Sequence, residues 1–391
     1  MKTLTIDECF YQIRNGANIK QGVEEGGYPI TRIETIANGR FNRERMGYAG
    51  IIDLGKYESY LLEDGDLLMS HINSIQYLGR TVLYKRQGDE KIIHGMNLLG
   101  LKADKKLILP EYAKYYFCSS PFRKQISKIT KKSVNQASFA VTDLKKVTLE
   151  LPALFEQECI ANTLNKINKV IYKYQQQLQK LDELIKSRFV ELFGDPIMNP
   201  KGWEVVTIGD ITTEVRYGTS KPAVEGGKYP YLRMNNLTID GHLDLTELKY
   251  IDIPDDEIEK CVVRKGDILF NRTNSIELVG KTAVFDFPDD MVIAGYIIRV
   301  RLNTKMLPEV LSQYMNLEAI KDIFRSMAKG AVNQANINAQ ELQSIRVYVP
   351  DIELQKQFVE MKEQIDKSKL LEWINLAKKS FDLLHERICI W

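Results

Sequence analysis

Two short loops carry the side chains best suited to reading a ligand, Arg272-Thr273-Asn274-Ser275 and His71-Ile72-Asn73-Ser74. Each follows a short apolar run, Ile268-Leu269-Phe270 or Leu67-Leu68-Met69, that is introduced by a Gly-Asp turn. Amide and guanidinium groups on such loops are hydrogen-bonding tools: Asn and Gln pair bidentately with adenine in the major groove of duplex DNA, and Arg with guanine. Two further amide pairs, Asn135-Gln136 and Asn333-Gln334, follow clusters of cations. Arg123, Lys124, Lys128, Lys131 and Lys132 fall in a stretch free of acids, and the matching stretch holds Lys321, Arg325 and Lys329 with Asp322 as its one acid. Clustered Lys and Arg is the electrostatic footprint of phosphate binding. One such cluster would read equally well as a solvated helix face; its recurrence favours phosphate. The candidate contact residues are therefore His71, Asn73, Ser74, Lys131, Lys132, Asn135 and Gln136 in one half, and Arg272, Thr273, Asn274, Ser275, Lys329, Asn333 and Gln334 in the other.

The two loops belong to an internal duplication. The segment from Gly65 to Thr81 returns from Gly266 to Thr282, sharing Gly, Asp, Leu, Asn-Ser-Ile, Gly and Thr at matching positions. The same offset superposes Tyr28-Pro29 and Arg32 on Tyr229-Pro230 and Arg233. After a few residues of slippage, Val134-Asn-Gln-Ala137 returns as Val332-Asn-Gln-Ala335, and Pro152 and Gln157 as Pro350 and Gln355. The period is too long for a solenoid, so the chain holds one domain built twice. Pseudo-twofold symmetry follows, which duplex DNA shares. Glycines and apolar residues persist between the copies, whereas His71-Ile72 stands against Arg272-Thr273 and Ser138-Phe139 against Asn336-Ile337. One scaffold with different polar tips suggests two related ligands. Arg272 does not recur and is the better candidate for reading sequence; Asn73 and Asn274 recur and fit a turn-capping Asn equally well.

Catalytic patterns are missing. Val279-Gly280-Lys281-Thr282 resembles the end of a phosphate loop, but Ser275 stands where that loop needs its first Gly, and the other copy has Gly79-Arg80-Thr81. Both read as strand-entry turns. Pro254 to Lys260 reads as an acidic loop rather than a nuclease metal site, because Ile258 stands two before Lys260. There is no G-x-G-x-x-G for a dinucleotide or methyl donor and no Asn-Pro-Pro-aromatic tetrapeptide to hold an extruded base. His71, His94, His242 and His385 are dispersed, and Cys9, Cys118, Cys159, Cys261 and Cys389 form no C-x-x-C pair. The chain reads as non-catalytic, with no cofactor or metal.

With 391 residues, 44% hydrophobic and 27% charged, the chain has the composition of an ordinary globular protein of two or three domains. It shows no membrane span and no signal-peptide pattern, so it is expected in the cytoplasm. Each copy opens with strand and turn signals and continues into a helical patch, near Glu111 to Lys128 and Glu309 to Ala328. From Ile160, apolar residues recur at 164, 167, 171, 174, 178, 181 and 185, a coiled-coil seam sustained over three heptads. A helix from about Phe155 to Leu192 would extend roughly 55 Å before Gly194-Asp195-Pro196 stops it. The pattern returns at Phe358, Met361 and Ile365 and, after a stutter near Ser368, at Leu370, Ile374, Ala377, Phe381, Leu384 and Ile388. Two such helices most simply pack antiparallel as a spacer of fixed length.

The doubled Gly-Asp-[Leu/Ile]-Leu leading to Asn-Ser, the doubled Val-Asn-Gln-Ala, and a long helix ending Leu192-Phe193-Gly194-Asp195-Pro196-Ile197-Met198-Asn199-Pro200-Lys201-Gly202-Trp203 resemble the specificity subunits of type I restriction-modification systems. The resemblance covers nearly the whole chain; Leu370 to Trp391 matches less well. It implies a non-catalytic DNA reader with two target-recognition domains, each reading half of a split duplex site. Its contacts would come from Asn73-Ser74, Arg272 to Ser275, Asn135-Gln136 and Asn333-Gln334. The helices would hold the gap between the half-sites and dock methyltransferase subunits, expected as two, with ATP-dependent restriction subunits as a further partner. The expected fold is α+β: two similar mixed α/β target-recognition domains separated by long helices in an antiparallel coiled coil. The boundaries are 1–153 for the first domain, 154–193 for the central helix, 194–351 for the linker and second domain, and 352–391 for the C-terminal helix. A stand-alone DNA-modifying enzyme and a coiled-coil scaffold with protein-binding domains are the rival readings.

Overall fold

The computed structural model describes residues 2–22, 26–133, 136–330 and 334–388, with side chains up to residue 377. The chain forms two units, Met1–Tyr172 with Lys379–Trp391, and Lys173–Lys378.

Each unit is built on the same four-stranded antiparallel sheet. In the first unit the strand order is Phe10–Asn15, Leu98–Ala103, Leu67–Ser70, Thr81–Leu83. In the second it is Thr212–Tyr217, Ile297–Leu302, Ile268–Asn271, Thr282–Val284. Even the irregularity recurs, between Phe10 and Gln12 and between Thr212 and Glu214. The strands Leu67–Ser70 and Ile268–Asn271 are buried along their whole length, so they read as continuous apolar runs rather than as alternation.

The repeated Gly-Asp turn has a structural cause. Gly65 and Gly266 sit at φ 96° and 90°, which costs glycine nothing. Asp66 then accepts from the Glu63 amide at 2.9 Å and pairs with Lys102 at 3.0 Å. Asp267 does the same with the Arg264 amide and Arg301, both at 2.9 Å. Gln157 and Gln355 recur for a similar reason. Gln157 is buried, accepts from Leu109 N and donates to the carbonyls of Leu107 and Pro152. Gln355 accepts from Leu307 N and donates to Lys305 and Pro350. Each amide ties the start of a long helix to its own domain, and removing it would leave three backbone groups, one of them in a buried bond, without these partners.

The helical patch of each copy is a pair of helices rather than one. Pro110–Tyr116 and Ser120–Ile129 are separated where Ser119 caps the second helix through Phe122 N and Pro121 removes a donor. Pro308–Met315 and Glu318–Met327 form the counterpart.

The central helix runs Leu154–Phe193 and the C-terminal helix Ile352–Ile388. Seam residues from Ile160 to Ile185 are buried or half-buried, while the polar residues Asn162, Lys166, Lys173 and Gln175 between them are exposed. Within the second unit the two helices pack antiparallel. Phe189 and Phe193 both meet Phe358 edge-on, with ring centroids 5.3 and 5.6 Å apart, and Asp182 pairs with Lys369 at 2.6 Å. The three rings join Ile185 and Ile365 in the core of that unit. The seam expected beyond the stutter is different: Leu370 and Ile374 are exposed, as are Leu371 and Trp373, and Leu376 is buried instead. A stutter rotates the apolar stripe around the helix, so the spacing after Ser368 does not continue the earlier face.

Candidate nucleic-acid interface

A small sheet at the end of the main sheet gathers most of the candidate residues in each unit. In the first unit Ile72–Asn73 pairs with Ala137–Ser138, which pairs in turn with Lys131–Lys132. In the second, Thr273–Asn274 pairs with Ala335–Asn336, and Asn336 bridges to Lys329. The reading loop, the end of the basic helix and the Asn-Gln-Ala segment are thereby brought side by side. Asn135 and Asn333 lie outside the described residues; Gln136 and Gln334 are exposed beside this sheet.

Several candidates turn inward. His71 is only 7% exposed, with its ring against Phe139 and no partner for Nδ1 among the described residues. Burial pulls its pKa below the ordinary histidine value. It therefore does not sit at the tip: the neighbouring Ile72 does, at 40% exposure. Asn73 and Asn274 are engaged locally. Asn73 accepts from Ser74 N at 2.8 Å and donates to Ser70 Oγ at 3.2 Å, and Asn274 accepts from Ser275 N at 2.9 Å and donates to Asn271 Oδ1 at 2.8 Å. The turn-building role of this shared Asn is visible; it aims the residues beside it. Arg272 lies over the Tyr217 ring, 4.8 Å from its centroid, and an Nη donates to Gly295 O at 3.3 Å. Thr273 Oγ1 donates to Asn336 Oδ1 at 2.8 Å.

The two basic clusters differ. Lys124, Lys128, Lys131 and Lys132 are exposed, and among the described residues no carboxylate pairs with them. In the second unit the cations are already engaged. Arg325 binds Glu318 and Asp322 at 2.6 and 2.5 Å, and these acids raise its pKa. Lys329 binds Glu341 at 2.5 Å, which holds that carboxyl below its ordinary range. Lys321 donates to Ile239 O, and burial lowers its pKa. The two clusters are thus unequal in their pairing: Glu341, on a helix beyond the cluster, holds the lysine next to the second tip.

The motifs set aside as non-catalytic are structural. Gly79 and Gly280 turn at φ 74° and 83° into the strands Thr81–Leu83 and Thr282–Val284. Lys281 is buried and donates to the carbonyls of Met234 and Leu237. In the acidic segment, Ile258–Cys261 forms a helical turn and Glu259 pairs with Arg264. Among the described residues no group of His, Cys, Asp and Glu is placed to hold a metal, and no helix is long and apolar enough to cross a membrane.

A family model described as the type I restriction modification DNA specificity domain matches residues 2–184 and again 200–376, one match for each copy of the repeat. The chain belongs to this specificity family. A relative from Methanocaldococcus jannaschii, named the MjaX specificity subunit of a type I restriction enzyme, is 30% identical over 94% of this chain and 88% of its own length. The EcoKI specificity subunit of Escherichia coli is 24% identical over 68% of this chain and 60% of its own. The crystal structure of the type I restriction-modification S subunit from M. genitalium has the same fold, with TM-score 0.52 and 16% identity over 98% of this chain and 94% of that one. Within the specificity family the chain is a non-catalytic DNA-recognition subunit, which fits the loops described above.

Three outward-facing residues of the tip sheets are not among the candidates read from the sequence: Ile72, Ser138 and Asn336. All three lie among the positions where the two copies diverge, which was the signal available; what was lacking was the strand register that turns them outward.

Proposed function

We propose that this specificity subunit reads a bipartite duplex site, one half with each recognition domain, inside a methyltransferase complex. The observation that carries the reading is the pair of family matches, one per copy, each enclosing the same tip sheet with a different outward set of side chains. The domains correspond to residues 1–153 and 194–351, with the helices 154–193 and 352–391 as spacer. Lys131 and Lys132 address phosphates, whereas Lys329 is held by Glu341. Arg272 offers its guanidinium edge to guanine from its seat on Tyr217, Thr273 and Gln136 with Gln334 supply further polar contacts, and His71, Asn73, Ser74, Asn274 and Ser275 shape the tips.

The helices dock the methyltransferase subunits, two per chain, and restriction subunits join through them. The exposed Leu370, Leu371, Trp373 and Ile374 support this assignment, because contiguous apolar patches of this kind mark protein contacts. The complex works in the cytoplasm, on host DNA. The test is to map methylated adenines in the host genome with and without the gene. One split motif should lose its methylation in the deletion. An unchanged methylome, with the methyltransferase subunits expressed, would refute the proposal.

A further inference from the structure

The register of the tip sheets aligns one residue from each strand in a single row. In the first unit Ser138 lies opposite Ile72 on one side and Lys131 on the other. In the second, Asn336 lies opposite Thr273 and bridges to Lys329. Residues opposite each other across antiparallel strands send their side chains to the same face, and the next row sends its own to the other. That next row contains Ala137 and Ala335, which are 3% and 1% exposed and belong to the cores. The row before it therefore faces away from the core. Ile72, Lys131 and Lys329 are exposed, and Ser138, Thr273 and Asn336 are half-buried.

We propose that this outward row is the base-reading element of each domain, Ile72 with Ser138 in the first and Thr273 with Asn336 in the second, with Lys131 at the end of the first row lying on the phosphate backbone. The inference rests on the DNA-specificity reading above and adds residues to it. Lys131 and Lys329 occupy the same place in the two rows, Lys329 paired with Glu341, while the other two positions differ. Phosphate contacts carry no sequence information, whereas two different half-sites need different readers.

The chemistry of each row then indicates its base. Thr273 Oγ1 donates to Asn336 Oδ1 at 2.8 Å, which fixes the amide plane. The carbonyl keeps a second lone pair, and Nδ2 has no partner among the described residues. Such an oriented amide presents a donor and an acceptor together, the pattern that matches adenine N7 and N6. In the first row an apolar side chain stands beside a hydroxyl, which suits the thymine methyl group with a hydroxyl contact alongside. Both rows are carried on paired strands rather than free loops, which holds the readers in place.

The test uses the full chain with its methyltransferase subunits and reads the methylated motif by genome-wide sequencing. Asn336→Ala should relax one adenine position in one half-site, by about 5- to 150-fold in relative methylation, the range of a bidentate contact. Asn336→Asp keeps the shape, loses the donor and should disfavour adenine at the same position. Ile72→Thr combined with Ser138→Asn gives the first domain the second domain's row and should change one position in the other half-site only. Thermal unfolding of each purified variant separates these effects from loss of fold, and the double variant uses side chains the same sheet already accommodates.

An unchanged motif in folded Asn336→Asp and in the double variant would overturn the proposal. So would an even loss of methylation at all sites with the motif intact, which would make the row a backbone contact. Absence of any motif that depends on the wild-type gene would sink the DNA-specificity reading itself, and the row with it.

Discussion

The difference between the two basic clusters has a consequence that salt titration reads directly. Replacing Lys124, Lys128, Lys131 and Lys132 with Gln should flatten the salt dependence of duplex binding far more than replacing Lys321, Arg325 and Lys329. The first four ammonium groups are exposed and without carboxylate partners among the described residues. Each one that reaches a phosphate releases counterions and contributes about −0.9 to the slope of log K against log salt. About four such contacts give a slope near −3.6, so raising salt from about 50 to 200 mM, a fourfold step, weakens binding roughly 150-fold. Removing them should abolish most of that loss. The second set is engaged within the protein, Arg325 with Glu318 and Asp322 and Lys329 with Glu341, so its removal should change the slope by less than about one contact's worth. Glu341→Gln sharpens the test: it frees Lys329 without adding a cation and should steepen the slope by about 0.9. Fluorescence anisotropy of a labelled duplex over a salt series measures all of these on the full chain. Equal slope changes for the two sets, no change with Glu341→Gln, or a shift in preferred sequence on removing the first four lysines would refute the reasoning.

Three further outcomes are expected. Gly79→Ala places a Cβ 3.7 Å from Ile126 and should cost about 1–2 kcal/mol for its left-handed backbone, whereas Gly280→Ala places one 2.3 Å from the Phe324 ring and should cost clearly more in urea unfolding. His94 is buried, with Nε2 2.9 Å from Leu98 O, and burial pulls its pKa from 6.5 to about 4. The folded state therefore prefers the neutral ring, and its contribution is present above pH 6.5 and lost as the pH falls toward 4. Unfolding curves should show about 2–3 kcal/mol less stability at pH near 4.5 than at pH near 7 from this group, a difference that His94→Gln removes. Arg272→Ala should relax discrimination at one position by about 1–3 kcal/mol without touching the other half-site, and Arg272→Lys should behave similarly because Lys keeps the charge but loses the planar fork. Evenly reduced methylation in both Arg272 variants would make it a backbone or structural residue.

How much of this was legible in the sequence depended on how local the cause was. The seam from Ile160 to Ile185 could be read because helical periodicity is set by neighbours along the chain. Its failure at Leu370 and Ile374 came from the stutter, after which packing chooses the face. The Gly-Asp turn announced itself by repetition, but its reason, a carboxylate shared between a turn amide and Lys102 or Arg301, is a tertiary fact. The pairing within the second basic cluster was not legible because Glu341 reaches Lys329 from beyond the cluster. Each tip loop carries both an inward and an outward residue, and local sequence does not separate them. In a strand of two residues the alternation of faces is fixed only by its partner, and the register that turns His71 in and Ile72 out is set by Ala137–Ser138, more than sixty residues away.

That same register shows what repetition within a chain can and cannot sort. Residues that recur in both copies hold the scaffold: Gly65 and Gly266 the turn, Gln157 and Gln355 the helix start, Asn73 and Asn274 the tip. Divergence is less simple, because it has two sources. Ile72 with Ser138 and Thr273 with Asn336 diverge on the outward row, where partners can impose the difference. His71 diverges facing inward, against Phe139, whereas Arg272 lies half-buried over the exposed Tyr217 ring. A buried residue such as His71 can diverge to suit its packing, so its divergence says nothing about a ligand. A divergent pair that shares a row on the open face of the sheet does, and exchanging the outward rows between the domains while leaving the buried residues intact is the manipulation that separates the two.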